Sequence, residues 1–340
     1  MEIVEIDGSM GGGSVLRVAA PLAIALGKSL RVTNVRSQKA NRGIQVQHLV
    51  GLEFLAQITG SQLIGAAVGS SEIFLTPGNS TPPTDFLPII TVPTSAAVSL
   101  IIQTLSNYVF ASRKPIGFEF NGGGTHVSFS PNFDVLLHVN KPLFELFGLR
   151  LHIQLFRPGF YPQGGAAGRV FLEPVPFSRV ELISGEVDRI DVISSAASGL
   201  REQRVAERQI VGFKSVIPKI NSTAGYADAH SQGASCTAVI KYKGNSVKGV
   251  ARISQSDVSP EELGRQTAKM AQKEVQNPAS VDEQLADQLI LPLAFSPPGS
   301  TYTYDKTHPH VRVNSVVVND FLGSVLTVQQ KDGVFHISKK

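Results

Sequence analysis

The chain has 340 residues, of which 42% are hydrophobic and 17% charged, with a formal net charge of +4 and a single cysteine, Cys236. That length supports a substantial core in one or two domains, and the apolar content excludes a disordered chain. One cysteine excludes an intramolecular disulfide and a zinc site built on cysteines, while the mild positive charge fits a nucleotide or RNA partner no better than ordinary solubility.

Alternation of β-branched residues predicts strands over 2–7, 30–36, 62–76, 84–92, 115–121, 150–156, 168–173 and 325–337, the last a hairpin turning at "KDG". Helical periodicity between them predicts three pairs: 14–26 and 43–59, 94–109 and 131–147, 280–294 and 310–322. Four of these end in a glycine cap, in "IALG", "QITG", "ELFG" and "DFLG". Ser130 and Pro131 read as N-cap and first helical residue, and "SVDE" at Ser280 to Glu283 as a capping box. Pro21 and Pro142 fall inside periodic segments and predict kinks. The last helix, "HVRVNSVVVNDFLG", is β-branched enough to pass for a strand, so propensity leaves it undecided.

This rhythm predicts an α/β (α+β) fold of three repeated βαβαββ-type units packed around a common axis. Residues 184–277 interrupt the third unit with a strand at 189–193, an amphipathic helix at 199–213, strands at 236–243 and 247–254, and a helix capped by "SPEE". The expectation is a core of 1–183 plus 278–340 and an inserted small α/β domain of 184–277. The start "MEIVEID" is an acidic strand and not a signal peptide. The most apolar window, "SAAVSLIIQTLSNYVFAS", is broken by Gln103 and Asn107 and reads as a buried helix. The expected location is cytoplasm or nucleus, with no secretion and no membrane contact.

Four clusters carry candidate chemistry. In "EIDGSMGGGSVLR" three glycines precede a helix that contains Arg17. The spacing fits neither a nucleotide-binding P-loop nor a Rossmann turn, so what remains is a tight turn or a loop whose N–H groups hold an anion. "RSQKANRGIQVQHL" gathers Arg36, Lys39 and Arg42 ahead of Gln47 and His48: loop cations, or a phosphate grip. "GFYPQGG" is a turn with Tyr161 and Pro162 at its tip, where the ring is able to stack on a base. "THPHVRVN" brings His308 and His310 to the start of the last element, where a neutral imidazole can attack phosphorus.

Taken together, "IDGS…GGG..LR", "R…G….QHL", "GGTH", "GFYP.GG", "DEQLADQL" and "H…N…V..FL" resemble, in order and through nearly the whole chain, the RNA 3′-terminal phosphate cyclases and their cyclase-like relatives. The resemblance implies three repeats with an inserted domain. It implies a reaction in which ATP adenylates an enzyme histidine with release of pyrophosphate. AMP then passes to an RNA 3′-phosphate, and the vicinal 2′-OH attacks to give a 2′,3′-cyclic phosphate. Mg2+ assists by offsetting triphosphate charge. By position His310 matches the nucleophile and Asp287 in "LADQL" an acidic neighbour. Arg17, Arg36, Gln47, His48 and Gln103 match residues lining the nucleotide and phosphate site, and Lys39 replaces an arginine. The chain departs from the family pattern in a shortened glycine loop without its usual glutamate, in Val46 where an arginine stands, and in Gln284 where a tyrosine is frequent. Those departures define the alternative expectation: a catalytically inactive relative acting with ribosome-biogenesis proteins in ribosomal RNA processing.

Overall fold

The computed structural model describes residues 3–9, 11–84, 86–305 and 309–340, so His308 lies outside the described residues. The first unit runs β1 (Ile3–Asp7), α1 (Gly13–Leu26), β2 (Ser29–Thr33), α2 (Val46–Thr59), β3 (Gln62–Ile64) and β4 (Ile73–Thr76). Its strands lie in the order β1-β2-β4-β3, with β1 and β2 parallel. The second unit repeats this with β5 (Ile89–Ala97), α3 (Val98–Ser112), β6 (Ile116–Gly124), a broken helix, β7 (Leu149–Arg157) and β8 (Ala167–Pro174). Its order, β5-β6-β8-β7, is the same topology. The broken helix consists of α4 (Phe133–Val135), a π-helical turn (Leu136–Asn140) and α5 (Lys141–Leu146).

The chain then builds a separate sheet from β9 (Val187–Ala197), β10 (Asn221–Ala227), β11 (Ala234–Tyr242) and β12 (Val247–Ile253), in the order β10-β9-β11-β12. Helices α6 (Val205–Lys214) and α7 (Pro260–Gln276) pack on it around Val192, Ile210, Phe213, Cys236 and Leu263. The chain returns as α8 (Glu283–Gln288), α9 (Ile290–Phe295), β13 (Thr301–Tyr304), α10 (Pro309–Leu322), β14 (Leu326–Lys331) and β15 (Val334–Lys339). This third sheet has the order β13-β15-β14, one strand short of the others. The missing edge comes from before the insertion. Glu181 bridges Thr301 in parallel, with the Thr301 N–H donating to Val180 O (2.8 Å) and the Leu182 N–H donating to Thr301 O (3.0 Å). The third unit is therefore complete, with the insertion placed between its first strand and first helix.

The three units meet through their helices. α1 packs on α3 and α10, α2 on α3, and α9 on α3 and α10, while Asn140 Nδ2 donates to Gln288 Oε1 (2.7 Å) to join the second unit's π turn to α8. α1 and α3 are buried along most of their length, the pattern of helices covered on all sides.

Several boundaries differ from the sequence expectation. The predicted strand 62–76 is two antiparallel strands, because Gly65 and Gly69 take positive φ between them. The strand expected at 84–92 begins at Ile89, after the proline-rich run 82–88, and extends to Ala97. Asn132 caps α4 by accepting the Val135 N–H (2.9 Å), in place of Ser130, and Asp282 caps α8 by accepting the Leu285 N–H (2.9 Å), in place of Ser280. The helix expected at 280–294 breaks at Leu289 into α8 and α9. β10 and β13 had no counterpart in the sequence reading. The four glycine stops, Gly27, Gly60, Gly148 and Gly323, all have positive φ. The β-branched last segment is a helix, whose Val311, Val317 and Val318 are buried. No helix among the described residues is long and apolar enough to cross a membrane.

Candidate functional site

The glycine run reaches α1 without any side-chain cap and without an acidic residue in the first turn, so the positive end of a fourteen-residue helix is offered to whatever lies in front of it. What lies there is set by Gly12, which has φ +61°: a Cβ built on it would lie 3.4 Å from Lys39 Cε, 3.7 Å from His310 Nε2 and 3.9 Å from Arg36 Nη1. Glycine is favoured here by the backbone angle, since those three distances are ordinary contacts that a Cβ could make. Gly13 is constrained by space, since a Cβ would collide with the imidazole of His48.

Behind the loop, Arg17 is buried on α1 and its Nε donates to Gln103 Oε1 on α3 (2.9 Å). Burial pulls the Arg17 pKa down, Asp287 opposes that, and Arg36 adds to it. His48 starts α2, where the Gln45 N–H donates to its Nδ1 (3.3 Å). That bond puts the neutral ring's proton on Nε2, which faces Arg17 Nη1 at 3.5 Å. Two donors thus converge, an arrangement suited to an anionic oxygen. Burial first, then Arg17 and Arg36, drive the His48 pKa well below the usual histidine range, so the ring is neutral near pH 7.

Pro21 explains how Arg17 is held. A proline four residues on cannot donate to the Arg17 carbonyl, and α1 nonetheless continues unbroken to Leu26. The freed carbonyl accepts instead from Asn107 Nδ2 on α3 (2.8 Å). Gln103 and Asn107, one turn apart on α3, therefore grip the side chain and the backbone of the same arginine. The sequence reading missed Asn107, and the signal was present: two amides at i and i+4 facing one buried stripe. Pro142 is accommodated differently, just after the π-helical turn, where the widened backbone removes the ordinary i−4 pairing.

His310 opens α10. Its Nδ1 lies 3.6 Å from Asp287 Oδ2, an ion-pair distance longer than a hydrogen bond, while Nε2 points to the glycine loop. Asp287 itself is fixed because α8 is anchored at both ends, by Asp282 at the start and by Tyr302 Oη donating to Ala286 O (2.6 Å). The structure thus brings together Arg17, Arg36, Lys39, His48, Gln103, Asp287 and His310. Gln47 sits beside His48 in the first turn of α2, half-buried. The turn of Tyr161 and Pro162 touches the inserted domain, where the Gln163 N–H donates to Ser231 Oγ in the loop between β10 and β11 (3.1 Å). No cluster of three or more metal-ligating side chains occurs among the described residues.

With this geometry in view, the sequence was compared with known proteins. The family model for RNA 3′-terminal phosphate cyclase matches residues 9–328. The chain belongs to this family. Proteins named RNA 3′-terminal phosphate cyclase from Pyrobaculum aerophilum and Archaeoglobus fulgidus are similar to it at 29% and 30% identity; the matches cover 98% and 95% of this chain and 97% of each relative. One from Salmonella agona is 28% identical over 96% of the chain and 94% of its own length. These relatives are prokaryotic and lend no support to the nuclear half of the expected location.

Proposed function

We propose that this chain is an ATP-dependent RNA 3′-terminal phosphate cyclase that works through a His310–AMP intermediate. The observation that carries the reading is the convergence on Gly12: an imidazole Nε2, two cationic side chains and an uncapped helix start within a few ångströms of one glycine. In the proposed first step the Nε2 lone pair attacks the α-phosphorus of ATP, and the bond to the bridging oxygen breaks as pyrophosphate leaves. Arg36, Lys39 and the α1 N–H groups offset charge on the phosphates, and Asp287 balances the cationic ring as the N–P bond forms. An oxygen of the RNA 3′-phosphate then displaces the imidazole from AMP. Finally the 2′-OH attacks the 3′-phosphorus, loses its proton, and expels AMP to close the ring.

Arg17 and the Nε2–H of His48 suit a phosphate oxygen deeper in the site. Mg2+ keeps most of its ligands as water and phosphate, so the single carboxylate of Asp287 fits a metal carried in by ATP, which would offset triphosphate charge. The names of the relatives support the cyclase reading and do not favour the non-enzymatic alternative or ribosome-biogenesis partners. The test is incubation of purified protein with α-labelled ATP and magnesium. The wild type should form an acid-labile AMP adduct and His310→Ala should form none; equal labelling of both, or of neither, would sink the assignment.

A further inference from the structure

The turn that carries Tyr161 makes contacts with the inserted domain, and its surroundings point to a task of its own. Tyr161 is 72% exposed, yet the turn beneath it is tied down from every side. Phe160 is buried and stacks on His126 with ring centroids 5.2 Å apart. The Gly164 N–H donates to Phe160 O (2.8 Å), and Arg157 Nε donates to Gly165 O (2.6 Å). The Gln163 N–H adds its bond to Ser231 Oγ in the inserted domain's loop (3.1 Å). A solvent-facing ring on a rigid base gives up little conformational entropy when something stacks on it.

Three turns adjoin at this point. A Cβ on Gly233 would lie 2.6 Å from the Phe160 side chain, and one on Gly199 would lie 2.5 Å from Gln232 Nε2. The core turn 159–165 is thus continuous with the inserted turns 228–233 and 198–204. Exposed His230, Gln232, Arg201 and Arg204 sit on those two turns, and the Arg201 guanidinium already stands over the Tyr226 ring at 4.7 Å. Glu202 and Asp228 nearly balance the arginines, so the field is weak and recognition falls to stacking and hydrogen bonding. An exposed aromatic beside amides and planar guanidinium groups is the chemistry that receives unpaired bases.

The turn is also connected to the cation cluster. A Cβ on Gly164 would lie 2.5 Å from the carbonyl oxygens of both Gly123 and Thr94. Thr94 lies in β5, which runs directly into α3 at Val98, and Gln103 follows five residues later, about 7.5 Å along the helix. We propose that the junction of these three turns is a subsite for single-stranded RNA upstream of the reacting 3′ end, with one base stacked on Tyr161. This rests on the RNA reading given above.

The test uses the full chain, without ATP, and fluorescence anisotropy with 5′-labelled RNAs bearing a 3′-phosphate, one of two nucleotides and one of ten. The wild type should bind the ten-mer at least about tenfold more tightly than the dinucleotide, and Tyr161→Ala should remove about tenfold from the ten-mer alone. Tyr161→Phe should keep the full gain, because the ring and not the hydroxyl is used. Replacing both Arg201 and Arg204 by Ala should weaken the ten-mer a few-fold and flatten its salt dependence. Equal losses for both lengths, no loss, a Phe variant as weak as Ala, or a wild type that binds both lengths alike would each overturn the subsite. Because no ATP is present, failure of the adenylation test would leave this measurement readable.

Discussion

Among the described residues two histidine–aspartate pairs have nearly equal length, His310–Asp287 at 3.6 Å and His126–Asp134 at 3.5 Å, and they have opposite surroundings. The His310 side chain is 27% exposed, and its far nitrogen faces a glycine loop flanked by Arg36 and Lys39. The His126 side chain is 4% exposed, stacked under Phe160, with Nδ1 on Thr125 Oγ1 (2.9 Å). Its Asp134 is surrounded by hydroxyls from the inserted sheet: Ser195 at 3.2 Å, Thr237 at 3.4 Å and Ser235 at 3.5 Å. Burial pushes the Asp134 pKa up, but His126 and Ser195 outweigh it and hold the carboxyl below its ordinary value. A histidine beside a carboxylate is therefore common to both places, and only the first pair combines partial exposure with neighbouring cations and an uncapped helix start.

The largest effect that would break this contrast is on AMP transfer. His310→Ala should abolish labelling while leaving the melting temperature close to wild type, as expected for a partly exposed side chain. His126→Ala should show the inverse pattern. It takes one partner from buried Asp134 while leaving the hydroxyls of Ser195, Thr237 and Ser235, and should lower unfolding stability by about 1–3 kcal/mol in urea melts, with labelling per folded molecule unchanged.

A third carboxylate sharpens the comparison. Asp282 is met by backbone N–H groups, from Gly249, Leu285 and Gln284, and burial pushes its pKa up to about 6. Between roughly pH 4 and 6 this carboxyl binds more protons in the folded chain than in the unfolded one, so its own contribution to stability falls as pH rises through that window. Asp282→Asn should remove that contribution and shift the stability difference between pH 4 and pH 6 towards the higher pH by up to about 3 kcal/mol, whatever its absolute stability. A slope unchanged in melts at pH 4, 5 and 6 would contradict the burial argument. The smallest effect belongs to Asp287→Asn. The ring stays in place while its charge partner is neutralised, and the initial labelling rate should drop about 10- to 100-fold.

Much of the fold was legible because its signals are local. Glycine stops, the "KDG" hairpin and the Ser259 cap of α7, which accepts the Glu262 N–H at 3.2 Å, each depend on residues a few positions apart. The misses have equally local reasons. β10 is a polar, exposed edge strand without hydrophobic alternation, and β13 is only four residues long. How the carbonyl freed by Pro21 is satisfied was not legible, because its partner Asn107 lies on another helix. At the site, motif order singled out Arg17, Lys39, His48, Gln103, Asp287 and His310, which the fold brings near one another, while nothing in the linear pattern showed that the Tyr161 turn meets the loop of Ser231.

The amino-acid order alone determined the repeated strand–helix rhythm and most of the helix ends, because hydrophobic period and caps act over one or two turns of chain. Tertiary structure decided which residues meet. Gly12 and His310 come together from opposite ends of the chain, Arg17 reaches Gln103 across 86 positions, and the third sheet takes its edge from Val180 to Leu182 across the whole insertion. Such contacts depend on how three similar units close on one another, and that closure is a property of packed helices rather than of any single stretch of residues.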